Sequence, residues 1–277
     1  MSARIDARFA ALKQANRAAL VAYVMAFDPD REASFEILRS LPAAGADVIE
    51  LGFPFTDPMA DGPAIQAAAE RALKAGGSLR GVLDLVARFR AENTETPLIL
   101  MGYFNPVEQM GVEAFAVALA KAGGDGAILV DLPPEEDKPV RAAFARNGLS
   151  LIRLATPTTD DARLPAVLEG VSGFLYYVSV TGVTGAKAVA AAAARAAVQR
   201  LKRATTLPVA VGFGVRAPDA AAEIARAADA VVVGSLFVDA AGDAARAGKP
   251  GEAPAAVARL VREMSKAVRE AREKLEA

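Results

Sequence analysis

The 277 residues carry 32 Lys and Arg against 33 Asp and Glu, and a net charge of −1 gives the chain no general attraction to nucleic acid or anionic lipid. It contains no histidine and no cysteine. Their absence excludes Ser-His triads, cysteine nucleophiles, thiolate redox chemistry, disulfides and zinc sites built on nitrogen or sulfur, and leaves acid–base work to Asp, Glu, Lys, Tyr or solvent. The first residues, Met1-Ser-Ala-Arg-Ile-Asp, lack a signal-peptide apolar core, and no apolar run reaches the ~20 residues that span a bilayer. A cytoplasmic protein is expected. With 53% apolar residues the chain can fill one large core, so 1–277 reads as a single domain without linker or internal repeat.

In chain order, an amphipathic helix is predicted over 5–15, ahead of a first strand at 20–25 and a second at 48–51. The interval that follows is too long for one helix. It divides into helices at 65–74 and 79–91 around Gly76-Gly77, with Val82, Leu85, Val86 and Phe89 forming one apolar face. Further strands are expected at 98–101, 127–130, 149–154, 174–178, 208–211 and 230–233. The alanine-dense stretch 186–197 runs into Val198 and Leu201 as an exposed-edge helix, and a charged amphipathic helix at 254–274 starts on a proline whose missing N–H costs nothing in a first turn. The strand runs are short, continuous and β-branched, as strands are when both faces are covered. Eight strands alternating with helices predict an α/β fold, a closed (β/α)₈ barrel of the TIM type, with one extra helix at the amino terminus and another after strand 2.

In such barrels chemistry sits at the carboxyl ends of the strands. The run Asp47-Val-Ile-Glu50-Leu-Gly-Phe-Pro-Phe-Thr-Asp57-Pro-Met-Ala-Asp61-Gly-Pro63 places a carboxylate near the end of an apolar strand, then two more in a Pro/Gly loop. Turn preference accounts for Asp57 and Asp61. It does not account for Glu50, whose long ionisable side chain must reach solvent or occupy a partly desolvated cleft. Asp131 follows the fourth strand. Gly182-Val-Thr184-Gly185, Gly212-Phe213-Gly214 and Gly234-Ser235 follow the sixth, seventh and eighth; the last two are read as opening helices, a plausible phosphate cradle. Schiff-base aldol chemistry needs a lysine at the barrel mouth, and none ends a strand; Lys187 in the sixth loop is the nearest. Metal-assisted aldol chemistry lacks its histidine ligands, and no metal site is expected. What remains is proton transfer by Glu50 and Asp61 on a substrate that supplies its own electron sink.

The segment from Glu50 to Pro63 followed by Ile65-Gln66, together with Ser179-Val-Thr-Gly-Val-Thr184-Gly185 and Gly212-Phe213-Gly214, resembles the signatures of the tryptophan synthase alpha subunit family. The resemblance runs from the first helix to the last. It implies a lyase of tryptophan biosynthesis that cleaves indole-3-glycerol phosphate to indole and glyceraldehyde 3-phosphate, with indole as the electron sink. It implies that Glu50 protonates indole C3 and takes the proton of the glycerol hydroxyl, while Asp61 accepts from the ring N–H. By the same resemblance Gly185, Gly214, Gly234 and Ser235 hold the phosphate, Thr184 pairs with Asp61 when the sixth loop closes, and Tyr23, Met101, Leu154, Tyr176 and Phe213 box the indole. It further implies no cofactor in this chain, an allosteric α₂β₂ assembly with a beta subunit carrying pyridoxal phosphate, and an interface formed by Pro54, Phe55, Asp57, Pro58, Asn105 and Asp131. Two positions depart from the family pattern: Phe27 stands where glycine is usual, and Val180-Thr181 replaces an arginine-containing pair. Another phosphate-binding barrel enzyme and a non-catalytic activating subunit stay open as alternatives. The first would be expected to show strand-end lysines or metal-binding histidines, and the retention of Glu50 and Asp61 speaks against the second.

Overall fold

The computed structural model describes residues 2–178, 187–212 and 214–272. Nine parallel strand segments form one sheet: β1 (Ala19–Met25), β2 (Val48–Gly52), β3 (Leu98–Gly102), β4 (Gly126–Leu129), β5 (Ser150–Leu151), β6 (Arg153–Ala155), β7 (Leu175–Val178), β8 (Val209–Gly212) and β9 (Ala230–Val233). Their order is β5-β4-β3-β2-β1-β9-β8-β7-β6. The two ends of that order are consecutive in the chain, and the Ile152 N–H between them donates to Ala127 O at 3.1 Å. β5 and β6 are therefore halves of one barrel strand, and the ring closes as the expected (β/α)₈ barrel.

Side-chain alternation sorts the apolar residues into layers. Ala19, Val21, Val48, Ile99, Ile128, Ile152, Phe174, Ala210 and Ala230 fill the interior, whereas Leu20, Ala22, Val24, Leu51 and Leu100 face the surrounding helices. The helix Ala3–Gln14 sends Ile5, Phe9 and Leu12 into the interior cluster, with the Phe9 and Phe174 ring centroids 5.6 Å apart. It closes the amino-terminal end of the barrel, leaving the carboxyl end for chemistry.

Pro63–Lys74 and Leu79–Glu92 are the two helices expected after strand 2, the second capped by Ser78 Oγ accepting from Gly81 N–H. The alanine-dense helix is Lys187–Ala204; Ala194, Val198 and Leu201 are buried, so it is docked more firmly than an exposed edge. Ala253–Glu270 buries Val257, Val261, Met264 and Val268 along one stripe, with Pro254 in its first turn. One helix, Phe104–Met110, was not legible, because Asn105-Pro106 reads as a turn; proline in a first turn removes no helical bond. No helix among the described residues is long and apolar enough to cross a membrane.

Candidate active site

Glu50 has the same parity as the interior residue Val48 and pairs in register with Tyr23 and Ile99, so its side chain enters the barrel above the apolar layers. It is 1% exposed. Both carboxylate oxygens are buried and, among the described residues, neither has a hydrogen-bond partner. A charged carboxylate in such surroundings is costly, and burial pushes the Glu50 pKa up to about 8. The group is thus a carboxylic acid at neutral pH. Burial raises the pKa values of Tyr23 and Tyr176; next come the charges of Asp61 and then Glu50 for Tyr23, and that of Glu50 for Tyr176.

Asp61, on the loop after β2, comes close to Tyr23, which also feels Glu50. That loop folds through Met59 N–H to Asp57 O (2.9 Å) and Asp61 N–H to Pro58 O (3.2 Å), and Gln66 Nε2 donates to Asp61 O at 2.9 Å. The Ala60 N–H donates to the Tyr103 hydroxyl at 2.9 Å. Asp61 is half-buried; desolvation pushes its pKa up to about 6, and hydrogen bonding from Tyr103 acts against that rise. At pH 7 the two groups therefore differ: Glu50 keeps its proton and Asp61 has lost it. Separated titration of two carboxyls is how one site holds both an acid and a charge stabiliser. Tyr23, Met25, Asp61, Met101, Tyr103 and Val130 help line a small enclosed cavity of about 10 Å³, room for about one water. An aromatic bicycle requires these walls to part.

The other expected site residues fall on the same face. Tyr23 and Tyr176 are buried on β1 and β7, while Met101 and Leu154 are half-buried on β3 and β6. Gly214 follows β8 with φ 70, a left-handed backbone that favours glycine. The helix after it begins only at Pro218, so the seventh loop does not open a helix directly, contrary to its sequence reading. Gly234 does. It precedes the helix Ser235–Arg246, and a Cβ there would lie 3.2 Å from the Tyr23 ring. Thr184, Gly185, Phe213 and the Val180-Thr181 pair lie outside the described residues.

Of the expected interface residues, Asp57, Asn105 and Asp131 are exposed, Phe55 and Pro58 are half-buried, and Pro54 is buried against Gly77. Asp131 Oδ1 also accepts from Phe104 N–H at 2.7 Å. Met59, 81% exposed, is a large apolar residue on the same loop. Phe27 takes φ 66, which explains why glycine suits that position; its ring, 4% exposed, is held against Gly81, and its N–H donates to Ser34 Oγ at 3.0 Å. Next to it Asp28 receives Arg71 Nε and Nη2 at 2.7 and 2.9 Å, tying the loop after β1 to the helix after Asp61. Sequence reasoning missed Tyr103 because it shortlisted charged residues and glycines at strand ends. A phenol one residue beyond β3 meets the same positional criterion.

A sequence profile described as Tryptophan synthase alpha chain matches residues 9–269. The chain belongs to the tryptophan synthase alpha chain family. It is 58% identical to the alpha chain of Caulobacter vibrioides over 97% of both chains, and 58% identical to that of Phenylobacterium zucineum over 99% of both. The crystal structure of the tryptophan synthase alpha subunit of Legionella pneumophila superimposes with a TM-score of 0.89 at 40% identity, covering 97% of this chain and 98% of that one. A chain from the structure of Mycobacterium tuberculosis tryptophan synthase gives 0.86 at 38% identity, covering 97% and 99%. The chain is a lyase: it cleaves indole-3-glycerol phosphate to indole and glyceraldehyde 3-phosphate. Alpha chains pair with a beta subunit, which carries the pyridoxal phosphate, and need no cofactor of their own. Nothing in these likenesses supports another barrel enzyme or a non-catalytic subunit.

Proposed function

We propose that Glu50 and Asp61 divide the cleavage between them. The observation that carries this reading is the buried Glu50 carboxyl on β2, which has no hydrogen-bond partner among the described residues. As an acid it gives its proton to indole C3, producing a cationic indolenine; the resulting carboxylate then takes the proton of the adjacent glycerol hydroxyl. The O–H electrons form the aldehyde C=O, the carbon–carbon bond breaks, and its pair returns to the ring to give neutral indole. Glu50 ends the cycle protonated. Asp61, ionised at neutral pH, accepts from the ring N–H and offsets the positive charge that develops there.

Tyr23, Met101, Leu154, Tyr176 and Phe213 are proposed to hold the indole, and Gly185, Gly214, Gly234 and Ser235 the phosphate, with Thr184 joining Asp61. The helix Ser235–Arg246 supports that placement, because unpaired N–H groups at a helix start favour an anion. Asp57, Asn105, Asp131, Phe55 and Pro58 form the proposed beta-subunit surface, in an α₂β₂ complex, while buried Pro54 shapes the loop beneath it. The whole chain acts as one domain, and we place it in the cytoplasm.

Glu50→Gln is expected to lower cleavage by ~10²–10⁴-fold, the usual contribution of a general acid–base group, with the fold and phosphate affinity kept. Indole release, thermal melting and competition by a glycerol-phosphate analogue read the three quantities. Near-normal turnover in the folded variant would refute the assignment.

A further inference from the structure

The geometry points to Tyr103 as a positioning residue for the lyase reaction: its hydroxyl fastens the acidic loop at Ala60 and holds the Asp61 carboxylate where the indole N–H arrives. This rests on the role proposed above for Asp61. Tyr103 directly follows β3 and is 2% exposed, with its ring centroid 5.3 Å from that of Phe55 on the same acidic loop. Its hydroxyl is fixed by the Ala60 N–H at 2.9 Å. That bond occupies a lone pair of the phenol, so the phenolic proton remains to be donated. Asp61, the next residue, lines the same small cavity as Tyr103, and hydrogen bonding from Tyr103 lowers its pKa.

Among the described residues, the remaining polar groups around this point do not supply an alternative. Tyr23 faces Asp61 from β1 and Glu50 lies behind it on β2; Asp28 faces Tyr23 from the loop after β1, and Asp131 faces Tyr103 from the loop after β4. Asp57 is the other carboxylate of the acidic loop, exposed and hydrogen-bonded by Thr56. Every charged group among them is acidic. Burial disfavours an ionised Asp61, and among the described residues the Tyr103 hydroxyl favours it. Burial pushes the phenol up to about 12, so it remains a proton donor throughout the working range. Tyr103 also adjoins Phe104, whose N–H is held by Asp131. The acidic loop is thereby connected to the loop after β4 through two side chains, those of Tyr103 and Asp131.

Tyr103→Phe keeps the ring on Phe55 and deletes only the hydroxyl. The test measures kcat/KM for indole-3-glycerol phosphate from pH 5 to 8 in the complex with the beta subunit, for the parent chain, Tyr103→Phe and Asp61→Asn, with melting curves confirming the fold of each. A hydrogen bond to a charged group sets the scale, so the acid limb of Tyr103→Phe should move up by about one pH unit, a loss of about five-fold at pH 6 and about ten-fold at pH 5. The deficit should shrink as pH approaches 7.5. Limited proteolysis within residues 54–61 of the free chain should also become faster. An unmoved acid limb, or an equal loss at every pH, overturns the role given to Tyr103 while a dead Asp61→Asn leaves the lyase mechanism standing. Full turnover by Asp61→Asn removes the reading of Asp61, and the role of Tyr103 with it.

Discussion

At the amino-terminal end of the barrel, Asp47 and Asp125 are 2% and 1% exposed, yet every oxygen is engaged. Arg17 and the Leu20 N–H meet Asp47, while Ser2, Arg4, Arg90 and the Leu98 N–H meet Asp125 at 2.6–3.0 Å. Three residues along β2 from Asp47, Glu50 is equally buried and has no such partner among the described residues. Each paired aspartate also ties one strand start to its neighbour. The comparison teaches that burial alone does not mark a catalytic carboxyl; burial without compensation does, because that state raises stability nowhere and persists at the end of the barrel that binds substrate.

The contrast can be broken from either side by stability measurements. Asp125→Ala should destabilise the fold by about 3–5 kcal/mol, since it leaves Arg90 and the Leu98 N–H without their acceptor, while turnover per folded molecule stays unchanged. Glu50→Gln should do the reverse. Its folded pKa, about 8, lies above the ordinary 4.5, so the native state binds more protons than the unfolded state and stability falls as pH rises between those values. The variant lacks that loss. Its advantage should be absent near pH 4, grow through the window, and reach on the order of a few kcal/mol at pH 8. Denaturant melts of the three proteins at pH 5 and pH 8 compare these effects, and an advantage that shrinks with pH would contradict the sign.

A smaller effect sharpens the carboxyl end. Gly234→Val puts a branched side chain against Tyr23, where even a Cβ lies 3.2 Å from the ring, so overpacking should raise the Michaelis constant by about ten- to a hundred-fold. The affinity of a glycerol-phosphate analogue should fall in parallel. Unchanged affinity would place the phosphate elsewhere.

The strands were legible because each is a continuous apolar run with both faces covered, and the doubled helix after β2 because its interval is too long for one. The interruption of the fifth strand at Ile152 left no mark, since 149–154 reads as one run and the break lies in hydrogen bonding. Glu50 stood out as a carboxylate inside an apolar strand. Its opposite, Asp47, opens the same seventeen-residue run, and its pairing was not legible there because its partner, Arg17, is thirty positions away. Tyr103 was hidden for a related reason: its hydroxyl bonds Ala60, 43 positions earlier, and only the closed barrel brings them together.

Among the described residues, Glu50 has no compensating partner, and it is held as an acid at neutral pH. The most direct measurement is the protonation of that one carboxyl followed by infrared difference spectroscopy on carbon-13 glutamate-labelled protein, with Glu50→Gln subtracted to isolate its C=O band. A protonated carboxyl persisting at pH 7 and disappearing with a midpoint near 8 is the predicted result. A band already lost by pH 6, with a midpoint near the ordinary 4.5, would mean that Glu50 is solvated or paired in solution, and would contradict the account.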